Sequence, residues 1–195
     1  TGILELKIPE HIKDYTLKLV VLDADHPQLS LLNSSSYSSK SPGLFNDSIK
    51  HIYSSYNFES PINEISIGYG PYLKDIHAGF DLKGNYGLLY NIHLTLSNPY
   101  NSYKKINFFF SPTGGIARGL ISIDNTLYET KLFTQKNNFE PEKISEITLK
   151  PLETREVTIL TMPQPGSFYP VHLVIQSNDL PYHYFVQHDV ERTAH

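Results

Sequence analysis

The chain reads Leu88-Leu89-Tyr90-Asn91-Ile92-His93-Leu94-Thr95-Leu96-Ser97 near its middle. Apolar side chains occupy every second position of this stretch, and polar side chains lie between them: the apolar set is Leu88, Tyr90, Ile92, Leu94 and Leu96. A period of two is typical of a β-strand with one buried face. Asn98-Pro99 follows directly and predicts the end of that strand.

The same alternation recurs throughout residues 86–177, and turn residues separate the runs. It predicts further strands over 104–110, 117–123, 126–133, 147–149, 157–161 and 171–175. Asp124-Asn125 is a two-residue break that predicts a tight hairpin turn. Seven short strands without a helical period predict an all-β fold, built as an antiparallel β-sandwich.

Three segments carry a resemblance to a known class of module. They are residues 90–99, which end in Asn-Pro, residues 147–159, which contain the corner Lys150-Pro151-Leu152-Glu153, and residues 165–171, which read Pro165-Gly166-Ser167-Phe168-Tyr169-Pro170-Val171. Over about 86–177 the chain resembles the bacterial immunoglobulin-like and fibronectin-III-like modules of secreted proteins. Such modules usually carry glycine where this chain has Leu152, so we expect a different turn geometry there. The resemblance implies a fold more than a function, because these sandwiches host many unrelated roles.

We expect residues 1–195 to form a single all-β domain, since this length is ample for one core. Its core sandwich is predicted at 86–177, with N-terminal strands and an excursion at 1–85 and a C-terminal strand or tail at 178–195. The excursion is a long Ser/Tyr-rich surface loop at 33–60, with a short helix at about 46–53. A strand at 64–69 is predicted to place Ile65, Ile67 and Tyr69 on one side.

The composition excludes several classes of protein. A net charge of -4, from 16 basic and 20 acidic residues, gives no electrostatic footprint for nucleic acid or an anionic membrane surface. No apolar run approaches the roughly 20 residues of a membrane span. The chain has no cysteine, which excludes disulfides, thiolate catalysis and cysteine-ligated metals. Its richness in tyrosine, serine and asparagine is typical of bacterial secreted and cell-surface proteins, and we expect an extracellular location.

Neither a catalytic motif nor a convincing metal motif is present in the sequence. It lacks the Gly-x-Ser-x-Gly elbow, the phosphate-binding glycine loop and the metalloprotease helix motif. We interpret Glu153 and Glu156 as carboxylates of a solvated corner. The densest candidate metal ligands are Asp23, Asp25, His26, His183, His188 and Asp189, but His183 and His188 would point to opposite faces of a strand. We expect no enzyme activity, no metal and no cofactor.

Two kinds of partner stay open, and the first is protein. A short N-terminal segment alternates apolar with charged residues, as a strand added to a neighbouring sheet would; its apolar residues are Ile3, Leu4, Leu6 and Ile8. The alternative is an ordinary terminal strand within the same sheet. We therefore expect a non-catalytic structural or interaction module that pairs through edge strands with itself, as a homo-oligomer, or with a neighbouring domain.

The second kind of partner is a glycan. With 14 tyrosines and 10 phenylalanines, some rings should lie on the surface, where a planar ring can stack on the face of a sugar. The candidate binding residues are Tyr37, Tyr53, Tyr56, Tyr69 and Tyr72. The alternative is that these rings fill the faces of the sheets, because tyrosine has a strong β preference.

Overall fold

A computed structural model describes residues 49–75, 79, 81–133, 141–164 and 166–180 of the chain. These residues form nine strands, and none of them lies in a helix. The strands are β1 Ile49–Tyr56, β2 Ile62–Ile67, β3 Leu89–Ser97, β4 Lys104–Pro112, β5 Leu120–Ile123, β6 Thr126–Glu129, β7 Glu142–Leu149, β8 Thr154–Thr161 and β9 Val171–Ser177.

The strands form two sheets, ordered β1-β3-β8-β5-β6 and β2-β9-β4-β7. Their inner faces share one hydrophobic core, to which β3 contributes Tyr90, Ile92, Leu94 and Leu96. These four side chains are 0% exposed, which confirms the alternation in the sequence. The predicted all-β sandwich is confirmed. Its pairs are antiparallel except that β1 and β3 run parallel.

The seven strands predicted within 86–177 are all present. Asp124 and Asn125 have φ angles of 45° and 65°, the left-handed pair that a type I′ hairpin turn between β5 and β6 requires. Both strands of this hairpin are shorter than predicted, and an isolated bridge between Ala117 and Phe133 extends the pairing.

The helix predicted at 46–53 is wrong over its described part, because Ile49–Tyr56 forms strand β1. Ile49, Ile52 and Tyr53 share the spacing of a helix face, but a helix of about two turns is marginal in water. As a strand, the segment pairs with β3 along its whole length, from Ile49 opposite Leu89 to Tyr56 opposite Leu96. The surface loop predicted at 33–60 is therefore also wrong over residues 49–56.

The predicted strand at 64–69 is present as β2, and Ile65 and Ile67 are buried as expected. Tyr69 does not share their face. The strand ends at Ile67 because Gly68 has a φ of +85°, and Tyr69 beyond it is 44% exposed.

The four-stranded sheet is buried on both faces at its centre. Phe109 of β4 and Val174 of β9 are paired on the face opposite the shared core, where Ile62 packs against them. They are 0% and 1% exposed. The alternation in the sequence predicts only the inner set of β4, Ile106, Phe108 and Phe110. This outer face is therefore not a free surface at these residues.

The corner at Lys150-Pro151-Leu152-Glu153 keeps the geometry of a glycine turn despite its leucine. Leu152 has a φ of 57°, and the N–H of Glu153 donates to the carbonyl of Lys150 at 3.2 Å. Proline before a residue of positive φ is the pattern of a type II turn. The different geometry expected from the sequence is therefore wrong. The resemblance to immunoglobulin-like and fibronectin-III-like modules stays a prediction.

We predict that Leu152→Gly stabilises the protein by about 0.5–1 kcal/mol. A left-handed residue other than glycine costs about 1–2 kcal/mol, which exceeds the unfolded-state entropy that glycine adds. Little burial is lost, because Leu152 is 65% exposed. Urea denaturation measures the change. Leu152→Ala is the matched control, because it shortens the side chain and keeps the strain. Equal stability of the two variants would contradict the prediction.

Candidate functional site

Some of the candidate residues predicted from the sequence lie in the part of the chain that the structure describes, and others lie outside it. Outside the described residues lie Tyr37, the assembly segment Ile3, Leu4, Leu6 and Ile8, and the candidate metal ligands Asp23, Asp25, His26, His183, His188 and Asp189. The described candidates are Tyr53 and Tyr56 in β1, and Tyr69 and Tyr72 in the segment that follows β2.

Tyr53 belongs to a stack of three rings on the outer face of the five-stranded sheet. Its ring lies 4.9 Å from the His93 ring, with 13° between the two planes. The His51 ring lies 5.7 Å from the His93 ring, with 10° between their planes. His51, Tyr53 and His93 are called the outer stack below.

The pairing of β1 with β3 assembles the outer stack. In a strand, residues two apart share a face, so His51 and Tyr53 project together from β1. The parallel register places Tyr53 directly opposite His93, at the spacing of neighbouring strands. The predicted alternation of β3 assigns His93 to its polar face, but the helix predicted at 46–53 gives no indication that His51 and Tyr53 lie beside it.

Tyr53 is one of the two exposed residues of the outer stack, and His51 is the other. Tyr53 is 77% exposed, and His93 covers one face of its ring. Since β1 is the edge of its sheet, no described strand lies beside Tyr53 on the other side. Within the part of the chain that the structure describes, no residue would have to move for another flat or apolar surface to stack on this ring.

Polar side chains form the next cross-strand row of the same face. The register aligns Ser55 of β1, Thr95 of β3 and Glu156 of β8. The Thr95 hydroxyl donates to Oε1 of Glu156 at 2.7 Å. This row therefore offers hydroxyl and carboxylate groups within two residues of Tyr53 and His93. Glu153, the other carboxylate noted in the sequence, accepts from the N–H of Lys150 at 2.6 Å in the turn after β7.

Tyr56 is a core residue, and the exposure predicted for it is wrong. It is 3% exposed at the end of β1, and burial raises the pKa of its hydroxyl. The hydroxyl accepts from the N–H of Ser177 at 2.9 Å and donates to the carbonyl of Pro61 at 3.4 Å. Tyr56 thus links the ends of the two sheets.

Tyr69 and Tyr72 do not join Tyr53. The Tyr69 ring lies 5.9 Å from the ring of His172 in β9, which belongs to the four-stranded sheet. Tyr72 is half-buried. The structure therefore leaves Tyr53 on a surface of the other sheet, supported by two histidines.

Neither a metal cluster nor a membrane span is found in the described part of the chain. Residues 49–75, 79, 81–133, 141–164 and 166–180 contain no group of three or more His, Asp or Glu side chains suited to a metal ion. No helix within them is long and apolar enough to cross a membrane.

No protein-family model matches the sequence, and no curated protein matches it. Among solved structures, the chain is similar to the GH26-CBM35 β-(1,4)-mannanase of Podospora anserina, with a TM-score of 0.29 and 14% sequence identity. The match covers 63% of this chain and 26% of the mannanase chain, so this chain spans only about a quarter of that protein's length. A likeness at this level carries no argument about fold or function.

We predict that Tyr56→Phe destabilises the protein by about 1–3 kcal/mol, because it leaves the buried N–H of Ser177 without its acceptor. The matched control is Tyr53→Phe, which removes a hydroxyl from an exposed ring and should change stability by less than about 0.5 kcal/mol. Urea denaturation of both variants checks the difference. If the two midpoints coincide, Tyr56 does not anchor the sheets.

Proposed function

We propose that this protein is a non-catalytic β-sandwich module that binds carbohydrate on the outer face of its five-stranded sheet. The observation that carries the proposal is Tyr53, a residue that is 77% exposed and whose ring stacks on His93 at 4.9 Å between ring centroids. The C–H groups of a pyranose form a flat apolar face, and the face of the Tyr53 ring that His93 does not cover supplies a matching surface.

The support behind Tyr53 favours binding because it reduces the cost of ordering the ring. A free surface tyrosine loses side-chain entropy when a ligand fixes it, at about 0.5–1.5 kcal/mol per side chain. Contact with His93 on one face already restricts the Tyr53 ring. More of the stacking free energy is then available for affinity.

The polar row beside the outer stack supplies partners for sugar hydroxyls. Ser55, Thr95 and Glu156 lie one row along the same face. Sugar-binding surfaces combine an apolar platform with a few polar groups that fix orientation, and this face has both. We place the module outside the cell, as its composition suggests, where glycan ligands are abundant.

A second candidate function is self-association through the edge of β1. This edge strand has eight residues, and Ile49 at its start is 44% exposed. Long edges of low charge invite pairing with another chain. Asn63 covers part of the edge, since its Nδ2 donates to the carbonyl of Ser55 at 2.6 Å. The beginning of β1, around Ile49, is therefore where a second copy would pair.

The glycan proposal predicts that Tyr53→Ala lowers affinity about 5–30-fold, because one stacked ring contributes about 1–2 kcal/mol. Wild type is first screened on a microarray of plant, bacterial and animal glycans, and an oligosaccharide it retains is then used in calorimetric titration. Tyr53→Phe keeps the ring and should bind within about threefold of wild type.

The matched control for this titration is Tyr103→Ala, which removes another exposed tyrosine, 68% exposed, from the loop before β4. It should bind as wild type does. The proposal fails if wild type retains no glycan, or if Tyr53→Ala and Tyr103→Ala have the same affinity.

The assembly candidate predicts that the molar mass from light scattering rises with concentration for wild type and stays at the monomer value for Ile49→Lys. A charge on the edge of β1 opposes pairing there. Leu127→Lys is the control, because Leu127 is exposed on β6 at the other edge of the sheet. A constant wild-type mass would rule out self-association, and loss of association only in Leu127→Lys would move it to β6.

A further inference from the structure

We propose that a polar cavity between the edges of the two sheets binds a neutral sugar unit, as a second subsite for the glycan that stacks on Tyr53. The cavity has a volume of about 450 Å³, within the range of roughly 300–1,000 Å³ that small-molecule pockets have. Its polar lining includes Ser55, Asn57, Ser60, Asn63 and Glu64. The inference rests on the proposed function, because it assigns a second sugar of the same ligand to this cavity.

The cavity lies where an edge of one sheet meets an edge of the other. β1 is an edge strand of the five-stranded sheet, and β2 is an edge strand of the four-stranded sheet. Nδ2 of Asn63 in β2 donates to the Ser54 hydroxyl at 3.0 Å and to the Ser55 carbonyl at 2.6 Å. These bonds hold the two walls together before a ligand enters, and a preformed site loses less entropy on binding.

Several polar groups of the cavity are available to a ligand. The hydroxyls of Ser55 and Ser60 and the carboxylate of Glu64 have no hydrogen-bond or ion-pair partner among the residues that the structure describes. Asn57 accepts the N–H of Glu59 at 3.1 Å through its Oδ1, which leaves its amide N–H groups for a ligand. A set of hydroxyls, an amide donor and a carboxylate acceptor matches sugar hydroxyls, which both donate and accept.

The charge of the cavity distinguishes neutral from acidic sugars. Among the described residues, Glu64 supplies the only charge of the lining, and it is half-buried. A hydroxyl of a neutral sugar can donate a charge-assisted hydrogen bond to this carboxylate. A uronic or sialic acid would instead bring a second negative charge beside it, and like charges in a binding site repel. The cavity therefore fits a neutral sugar.

Ser55 connects the cavity to the outer stack. It lies two residues after Tyr53 on the same face of β1, about 7 Å along the strand, and it also lines the cavity. A glycan with one ring on Tyr53 can therefore place a neighbouring sugar in the cavity.

The loop 57–61, which supplies one wall of the cavity, contains a strained residue. Phe58 has a φ of 69°, a left-handed conformation that residues other than glycine rarely adopt. Its ring lies 5.2 Å from the ring of the buried Tyr56, which holds the loop in this conformation. Phe58 lies between Asn57 and Ser60 and so sets the position of both. Backbone strain of this kind is concentrated at functional sites, where the surrounding structure maintains it.

The first test is NMR of the isotope-labelled full chain, titrated with monosaccharides at millimolar concentrations. The probes are the neutral sugars glucose, galactose, mannose and N-acetylglucosamine, and glucuronic acid. The side-chain amide signals of Asn57 and Asn63 report the cavity, because both residues line it. We expect at least one neutral sugar to shift both signals until they saturate, and glucuronate to shift neither. No response to any neutral sugar, or equal affinity for glucuronate, overturns the proposal.

A matched pair of variants tests the contact with Glu64. Glu64→Gln keeps the length of the side chain and removes its charge, so it should weaken binding of the neutral sugar about fivefold, because a charge-assisted hydrogen bond becomes a neutral one. Glu59→Gln is the control, since Glu59 is exposed in the same loop and does not line the cavity. Equal affinities of the two variants would show that Glu64 does not contact the sugar.

The oligosaccharide retained in the glycan screen separates this subsite from the platform on Tyr53. We expect it to lose affinity in both Tyr53→Ala and Glu64→Gln. A loss in Tyr53→Ala alone overturns the cavity subsite and leaves the proposed function standing. A loss in Glu64→Gln alone overturns the role of Tyr53 in the proposed function and leaves the cavity. A loss in neither variant overturns both.

Discussion

Backbone pairing of β3 on both of its sides is the interaction on which the rest of the structure depends. β1 pairs with β3 in parallel along eight residues, and β8 pairs with it antiparallel from Tyr90 to Ser97. The pairing turns one face of β3 into the centre of the core, where Ile92 and Leu94 are fully buried. The same pairing fixes the opposite face, because a shift of one residue would exchange the two faces. Core and candidate site are thus set by one register.

The strands of the core could be predicted because burial on one face imposes a period of two on the sequence. Which strands pair with one another could not be predicted in the same way. Among the nine described strands, only β5 and β6 are consecutive in the chain and adjacent in a sheet. Every other pair joins strands that are distant in sequence, and alternation carries no information on which distant strands meet. Tyr53 is predicted from the sequence as a binding residue, but its histidine neighbours are not, because β1 gains its neighbour from β3 and its own residues at 49, 52 and 53 have helical spacing.

Buried asparagines connect the loops of this sandwich, and the local sequence pattern does not predict this role. Asn98 is 1% exposed, and its Nδ2 donates to the carbonyls of Ser102 at 2.8 Å and Lys150 at 2.7 Å. Asn85 is 0% exposed, and its Nδ2 donates to the Tyr69 carbonyl at 3.1 Å. In the sequence, each asparagine predicts a turn and nothing more. In the structure each one also satisfies carbonyls of another segment, which buried loops require because an unpaired carbonyl there is costly.

The candidate site is oriented by the same pairing that builds the core. His93 lies between the core residues Ile92 and Leu94 of β3, and its ring lies 4.9 Å from the ring of Tyr53. Its Nε2 also lies 3.4 Å from Nδ1 of His51, so two residues of β1 hold the His93 ring. The register of β1 on β3 therefore restricts the Tyr53 ring in the folded protein. The entropy of ordering that ring is then largely lost on folding, and less of it remains to be lost when a ligand binds.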